Sequence, residues 1–157
     1  DFALVTAEVD EIPPTLSATL LLRDPGVVTA RRGHPLANRE RIGAATLAAA
    51  EWVVPPRPHP LWRQMTPLAA GHGQPLRIRA QTASLSIARE LVARSYALTV
   101  LPRSIVTDRA GSGLVELPAA DFDWSLPVTV VSRGADLLSL DARRLVEALP
   151  RQLQSRR

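Results

Sequence analysis

The strongest constraint on this chain is an alternation. Through its middle, strand-like segments take turns with segments of helical period. "WVVPP" reads as a strand stopped by two prolines, and "LWRQMTPLAAG" as a helix disturbed at Pro67 and ended at Gly71. "LRIRAQ" alternates and reads as a strand. "SLSIARELVARS" is the clearest helix, with Leu85, Ala88, Leu91 and Val92 on one stripe and Ser84 placed to cap it. "YALTVLP" follows as a buried strand and "RSIVTDRA" as a short helix. Strands alternating with helices predict an α/β layer fold with much parallel pairing.

The flanks read less simply. "DFALVT" looks like a short strand, and "LSATLLL" and "GVVTA" like two strands split by the turn signal "DPG". "RRGHPLANRER" is a polar loop, with a turn at Asn38 to Arg41 leading into the Ala-rich helix "AATLAAAE". "GLVELP" and "LPVTVVS" are further strands, and "LSLDARRLVEAL" is an amphipathic helix ended near Pro150. "DFALVT" and "VTVVS" both read as strands buried on two faces, which is the parallel-sheet pattern. Too few elements remain to cover a second sheet. Either these strands join the central sheet or their neighbours lie outside this chain.

Composition narrows the function. The 157 residues suffice for one domain or two small lobes. Hydrophobic residues at 46% and charged residues at 22% allow both a core and a solvated surface. No apolar run is long enough to span a membrane. Without Cys the chain has no disulfide, thiolate metal site or thiol nucleophile, which fits a cytosolic location. All nineteen cationic residues are Arg, and the net charge is +4. Guanidinium groups suit phosphate, but these lie scattered among Asp and Glu and only 4% of residues are aromatic, so stacking platforms are few. Nucleic-acid binding by this segment is therefore disfavoured, and "RQLQSRR" reads as a solvated tail.

Little points to catalysis. His34, His59 and His72 are far apart and each adjoins Pro or Gly, unlike paired metal ligands. There is no Gly-rich phosphate loop and no GxSxG elbow. Asp121 and Asp123 in "DFDW" could mimic an acid pair but read as solvated loop acids. Neither a cofactor, a metal nor a catalytic group is expected. Binding offers more, because ligands of open α/β sheets sit beyond the carboxyl ends of parallel strands. Those ends are Thr6 after "DFALV", then Pro55, Pro56 and Arg57 after "WVV", then Thr82, Ala83 and Ser84 after "LRIRAQ". The last group opens a helix and suits a carboxylate or another anion. A plain helix cap uses the same geometry, so both readings stand at this point.

"DFALVT", "RRGHPLA", "WVVPP", "SLSIARELVARSYALTVLP", "GLVELP…LPVTVVSR" and "LSLDARRLVEAL" run in an order that resembles the effector-binding domain of LysR-type transcriptional regulators. The resemblance covers nearly all of the chain, and "HPLA" and the helix–strand–"LP" unit are its most specific parts. Ser95, Tyr96 and Ala97 depart from the Gly-x-Gly-like turn that the family has before that strand.

The resemblance implies a type 2 periplasmic-binding-protein-like α/β fold, two Rossmann-like lobes with lobe one incomplete here. Residues 1–21 would end lobe one and make the first crossover. Lobe two would span 22–118, the second crossover and returning helix 119–150, and a solvated tail 151–157. It further implies a small-molecule effector between the lobes, met by Thr6 and by Thr82 to Ser84. It implies a homo-oligomer, a dimer or tetramer, with DNA bound only through a helix-turn-helix domain not in this chain, and a cytoplasmic, non-membrane location. The implied dimer surface is the strand and helix carrying Ala97, Leu98, Thr99, Val100, Arg103, Ile105 and Val106. The rival is a periplasmic solute-binding protein of the same fold.

Overall fold

The computed structural model describes residues 2–71, 73–107, 113–119, 122–134 and 138–154, with side chains as far as residue 149. The chain divides into two compact units, residues 1–24 with 125–157, and residues 25–124. The sequence-based boundaries were 21/22 and 118/119.

Unit one is built on antiparallel pairing. β1 (Phe2–Val5) runs against β7 (Ser125–Ser132), with Phe2 opposite Ser132 and Val5 opposite Thr129. β7 lies next to β2 (Ser17–Arg31). The expectation of a two-face-buried, parallel β1 therefore fails: Ala3 and Leu4 are exposed, and among the described residues β1 pairs only with β7, antiparallel. An apolar strand with only one paired edge gives the same short sequence pattern as a parallel one. α5 (Leu140–Gln154) begins two residues after the expected Leu138, where the Ser139 hydroxyl accepts the Ala142 N–H at 3.2 Å. It also continues through Pro150, since one proline forfeits one internal hydrogen bond without having to end the helix.

"DPG" does not make a turn. β2 runs unbroken through Asp24, Pro25 and Gly26, and passes from unit one into unit two there. A proline in a strand needs a place where its missing N–H is not called on. Pro25 has that place, one residue before pairing with β5 (Thr99–Pro102) begins at Gly26–Pro102.

Unit two is the α/β layer that the alternation predicts. β3 (Glu51–Val54) and β4 (Arg77–Gln81) pair in parallel, and Trp52 bridges in parallel to Leu98, just before β5. β2 pairs antiparallel with β5 and with β6 (Leu114–Glu116). Neighbouring residues of each central strand feed opposite faces. Val28, Trp52, Val54, Leu98 and Val100 enter one core with Ile42, Leu47, Leu61 and Met65. Val27, Val53, Ala97 and Leu101 enter the other with Ala88, Val92 and Val106. Burial on both faces is what a continuous "WVV" run encodes.

The helices follow their patterns. α1 (Ala44–Ala49) is shorter than expected, and its Leu47 carbonyl accepts both the Ala50 N–H at 3.2 Å and the Trp52 indole N–H at 2.8 Å. α2 (Trp62–Ala70) tolerates Pro67 and is capped by Gly71. α3 (Leu85–Ala93) buries Ala88 and Val92, and α4 (Arg103–Thr107) buries Val106.

Candidate ligand site at the strand ends of unit two

The parallel pairing of β3 and β4 brings two of the three expected strand-end groups to one edge. The Thr82 N–H donates to the Val54 carbonyl at 3.0 Å, so the ladder continues to the point where both strands stop. Pro55–Arg57 and Thr82–Ser84 leave from there. Thr6 lies in unit one, exposed, just beyond β1.

Thr82 and Ser84 act first as backbone acceptors. The Thr82 Oγ1 accepts the Ser84 N–H at 3.1 Å, and the Ser84 Oγ accepts the Ile87 N–H at 3.4 Å. The cap reading is thus realised. Each hydroxyl keeps its own O–H as a donor, so capping leaves donors beside the open end of α3.

Arg57 supplies the charge. Its guanidinium carbon lies 4.2 Å from the centroid of the Trp62 ring. The Trp62 indole N–H donates to the Pro55 carbonyl at 3.0 Å, which fixes the ring against the loop that carries Arg57. An Arg resting on an indole keeps all five N–H donors for another group. Trp62 was missed at the sequence level; the signal was a Trp seven residues after Pro55 in a Pro-rich loop.

The histidines have separate fates. The His59 Nδ1 accepts the Leu61 N–H at 3.2 Å at the start of α2, and burial pushes its pKa below the usual value. His34 is a buried loop residue. Its Nδ1 accepts the Leu36 N–H and its Nε2 faces the Tyr96 carbonyl, both at 3.1 Å, which requires the tautomer with hydrogen on Nε2. His72 and Asp121 lie outside the described residues, and Asp123 is exposed. Among the described residues no three His, Asp or Glu gather as a metal site, and no helix is long and apolar enough to cross a membrane.

The departure at Ser95–Tyr96–Ala97 is accommodated without strain. The Ser95 Oγ accepts the Ala97 N–H at 3.2 Å, and no described residue other than Gly has a positive φ. Tyr96 stays 60% exposed, with the Arg31 guanidinium carbon 4.1 Å from its ring centroid.

The expected dimer surface is buried along β5 and open in part on α4, where Arg103 is exposed. Ala97, Leu98, Thr99 and Val100 are buried, because β5 is flanked by β2 and by β3 at the Leu98 bridge. Val106 is buried and Ile105 half-buried, while Arg103 is held in a two-pronged pair with Glu116 at 2.8 and 3.0 Å. The exposed apolar side chains of this region lie elsewhere: Ile78 on β4, and Leu85, Ile87 and Leu91 on α3.

Comparison with known proteins decides the family. The family model of the LysR substrate binding domain matches residues 1–154. The chain belongs to that family. A curated LysR-type relative is the "SDS degradation transcriptional activation protein" of Pseudomonas sp. (strain ATCC 19151), 33% identical over 143 residues, 87% of this chain and 46% of the relative. The chain thus spans about half the length of that relative. Among solved structures, the C-terminal domain of a probable LysR family transcriptional regulator from Rhodococcus sp. RHA1 is 27% identical with a TM-score of 0.69, covering 95% of this chain and 73% of that one. The CcmR regulatory domain of Synechocystis PCC6803, solved in complex with 2-PG, shares the fold with a TM-score of 0.75 at 24% identity, over 96% and 72% of the two chains. The family match runs through residues of both units, and the solute-binding rival is not favoured.

Proposed function

We propose that this chain is the effector-sensing and oligomerising part of a bacterial LysR-type transcriptional regulator, acting in the cytoplasm on DNA held by a helix-turn-helix domain outside this sequence. The effector is a small organic anion. Arg57, seated on Trp62 beside the converging ends of β3 and β4, is the observation that carries this reading. Arg57 supplies charge-assisted donors, the hydroxyls of Thr82 and Ser84 add neutral ones, and the start of α3 supplies a favourable dipole. The response is a shift between conformational populations and involves no turnover.

Self-association would use the open edge of β4 and the outer face of α3. β4 pairs only with β3 among the described residues. Ile87 and Leu91 are one helical turn apart and exposed, and Ile78 is exposed on the strand. An unpaired strand edge beside exposed apolar side chains invites covering by another copy.

The test is isothermal titration of the 157-residue chain with a panel of small carboxylates and their amides. Saturable binding of a carboxylate but not its amide, lost in Arg57→Ala, supports the reading. Binding of neither, or equal binding of both, removes the anion site.

A further inference from the structure

We propose that unit two holds a second small-molecule site, a cavity beside the Gly26–Trp124 contact that takes an organic cation with a flat apolar body. This proposal does not depend on the strand-end site. The cavity measures about 710 Å³, and every residue lining it belongs to unit two. That volume lies within the usual range for small-molecule pockets, roughly 300–1,000 Å³.

The cavity's lining sets the ligand's body. Val27, Val28 and Leu117 are buried and give an apolar floor. Phe122 and Trp124 are half-buried and give aromatic walls. Trp124 is held in place from below. The Gly26 N–H donates to its carbonyl at 2.8 Å, and its ring occupies the space where a side chain on Gly26 would stand. A fixed indole with one side of the cavity open beside it is a platform for a flat group.

The rim sets the ligand's charge. The carboxylate of Glu116 is satisfied by Arg103, so that pair contributes no net charge. Arg41 also reaches the rim, but it already has an interaction of its own. Glu40 and Asp123 are exposed, line the cavity and make no ion pair among the described residues. Apart from the Arg103–Glu116 pair the lining sets Glu40 and Asp123 against Arg41, and this excess of negative charge beside two aromatic rings favours a cation. An anion would meet those carboxylates and find the Arg103 guanidinium engaged by Glu116.

The experiment compares two ligands of matched body and opposite charge, benzyltrimethylammonium and phenylacetate, by calorimetric titration of the chain at low salt. The ammonium should bind saturably and more tightly than phenylacetate. The double variant Glu40→Gln, Asp123→Asn should weaken it by roughly ten-fold or more, as loss of charged partners does, whereas Arg57→Ala should leave it unchanged. Trp124→Leu should weaken it too; the double variant decides if that substitution harms folding. The proposal is overturned if the ammonium shows no saturable binding up to its solubility, if phenylacetate binds as well, or if the carboxylate variant binds the ammonium like the parent.

Discussion

The guanidinium of Arg57 rests on the indole of Trp62, 4.2 Å from the ring centroid, and the same indole is tied to the carbonyl of Pro55. At the proposed anion site Trp62 would therefore act on a ligand through Arg57. An exposed cation–π contact is worth about 0.5–1 kcal/mol. Trp62→Leu should weaken anion binding by roughly two- to five-fold, and Arg57→Ala by roughly ten-fold or more, as expected for a hydrogen bond to a charged group. Calorimetric titration of both variants checks the order. Equal losses would mean that Trp62 touches the ligand itself.

The proposed self-association rests on Ile87 and Leu91, both exposed on α3. Ile87→Glu keeps a good helix former and places a charge in the proposed contact. Sedimentation equilibrium should show the dimer weakened by at least roughly ten-fold, or about 1.4 kcal/mol, with unchanged far-ultraviolet circular dichroism. The exposed side of α4 offers the control. Ser104→Glu on α4 should leave association as it was, and a loss there would return the interface to the helix that the sequence first suggested.

Unit two was legible because its signals are local. "WVV" encodes burial on both faces, Ser84 encodes a helix start, and the helix–strand alternation fixes parallel neighbours. The strand ends follow from that layout, so Thr6, Pro55–Arg57 and Thr82–Ser84 can each be named from the sequence, whereas the adjacency of the last two comes from the β3–β4 pairing. Trp62 and the Gly26–Trp124 contact were not legible, since they depend on which loop folds over which strand. The burial of β5 was misjudged for a similar reason. "YALTVLP" shows that a strand is apolar, but only the sheet order shows that both its edges are covered. "DPG" was misread because a turn signal does not report a change of sheet partner along a continuing strand.

Gly26 has no room for a side chain. A Cβ built there would stand 1.9 Å from Cε3 of Trp124. Gly26→Ala must displace the indole, and overpacking of this kind costs about 1–3 kcal/mol. Urea denaturation should show the loss, and in a Trp62→Phe background the emission of Trp124 should shift to the red as the ring meets water. An unchanged spectrum together with unchanged stability would mean that the backbone of β2 yields instead of the ring.

His59 gives a pH dependence of definite sign. Burial lowers its pKa in the folded state below the ordinary 6.5. Below that value the unfolded chain binds more proton than the folded one, so stability rises with pH through this range. It is lost as pH falls from about 6.5 through the lower folded value, and protonation also removes the Nδ1 acceptor that meets the Leu61 N–H. His59→Gln cannot titrate. The stability difference between parent and variant, from urea denaturation at a series of pH values, should be constant above about pH 7.5 and should move in the variant's favour as pH falls below 6.5. A difference that stays flat across the range would show that His59 meets water equally in both states.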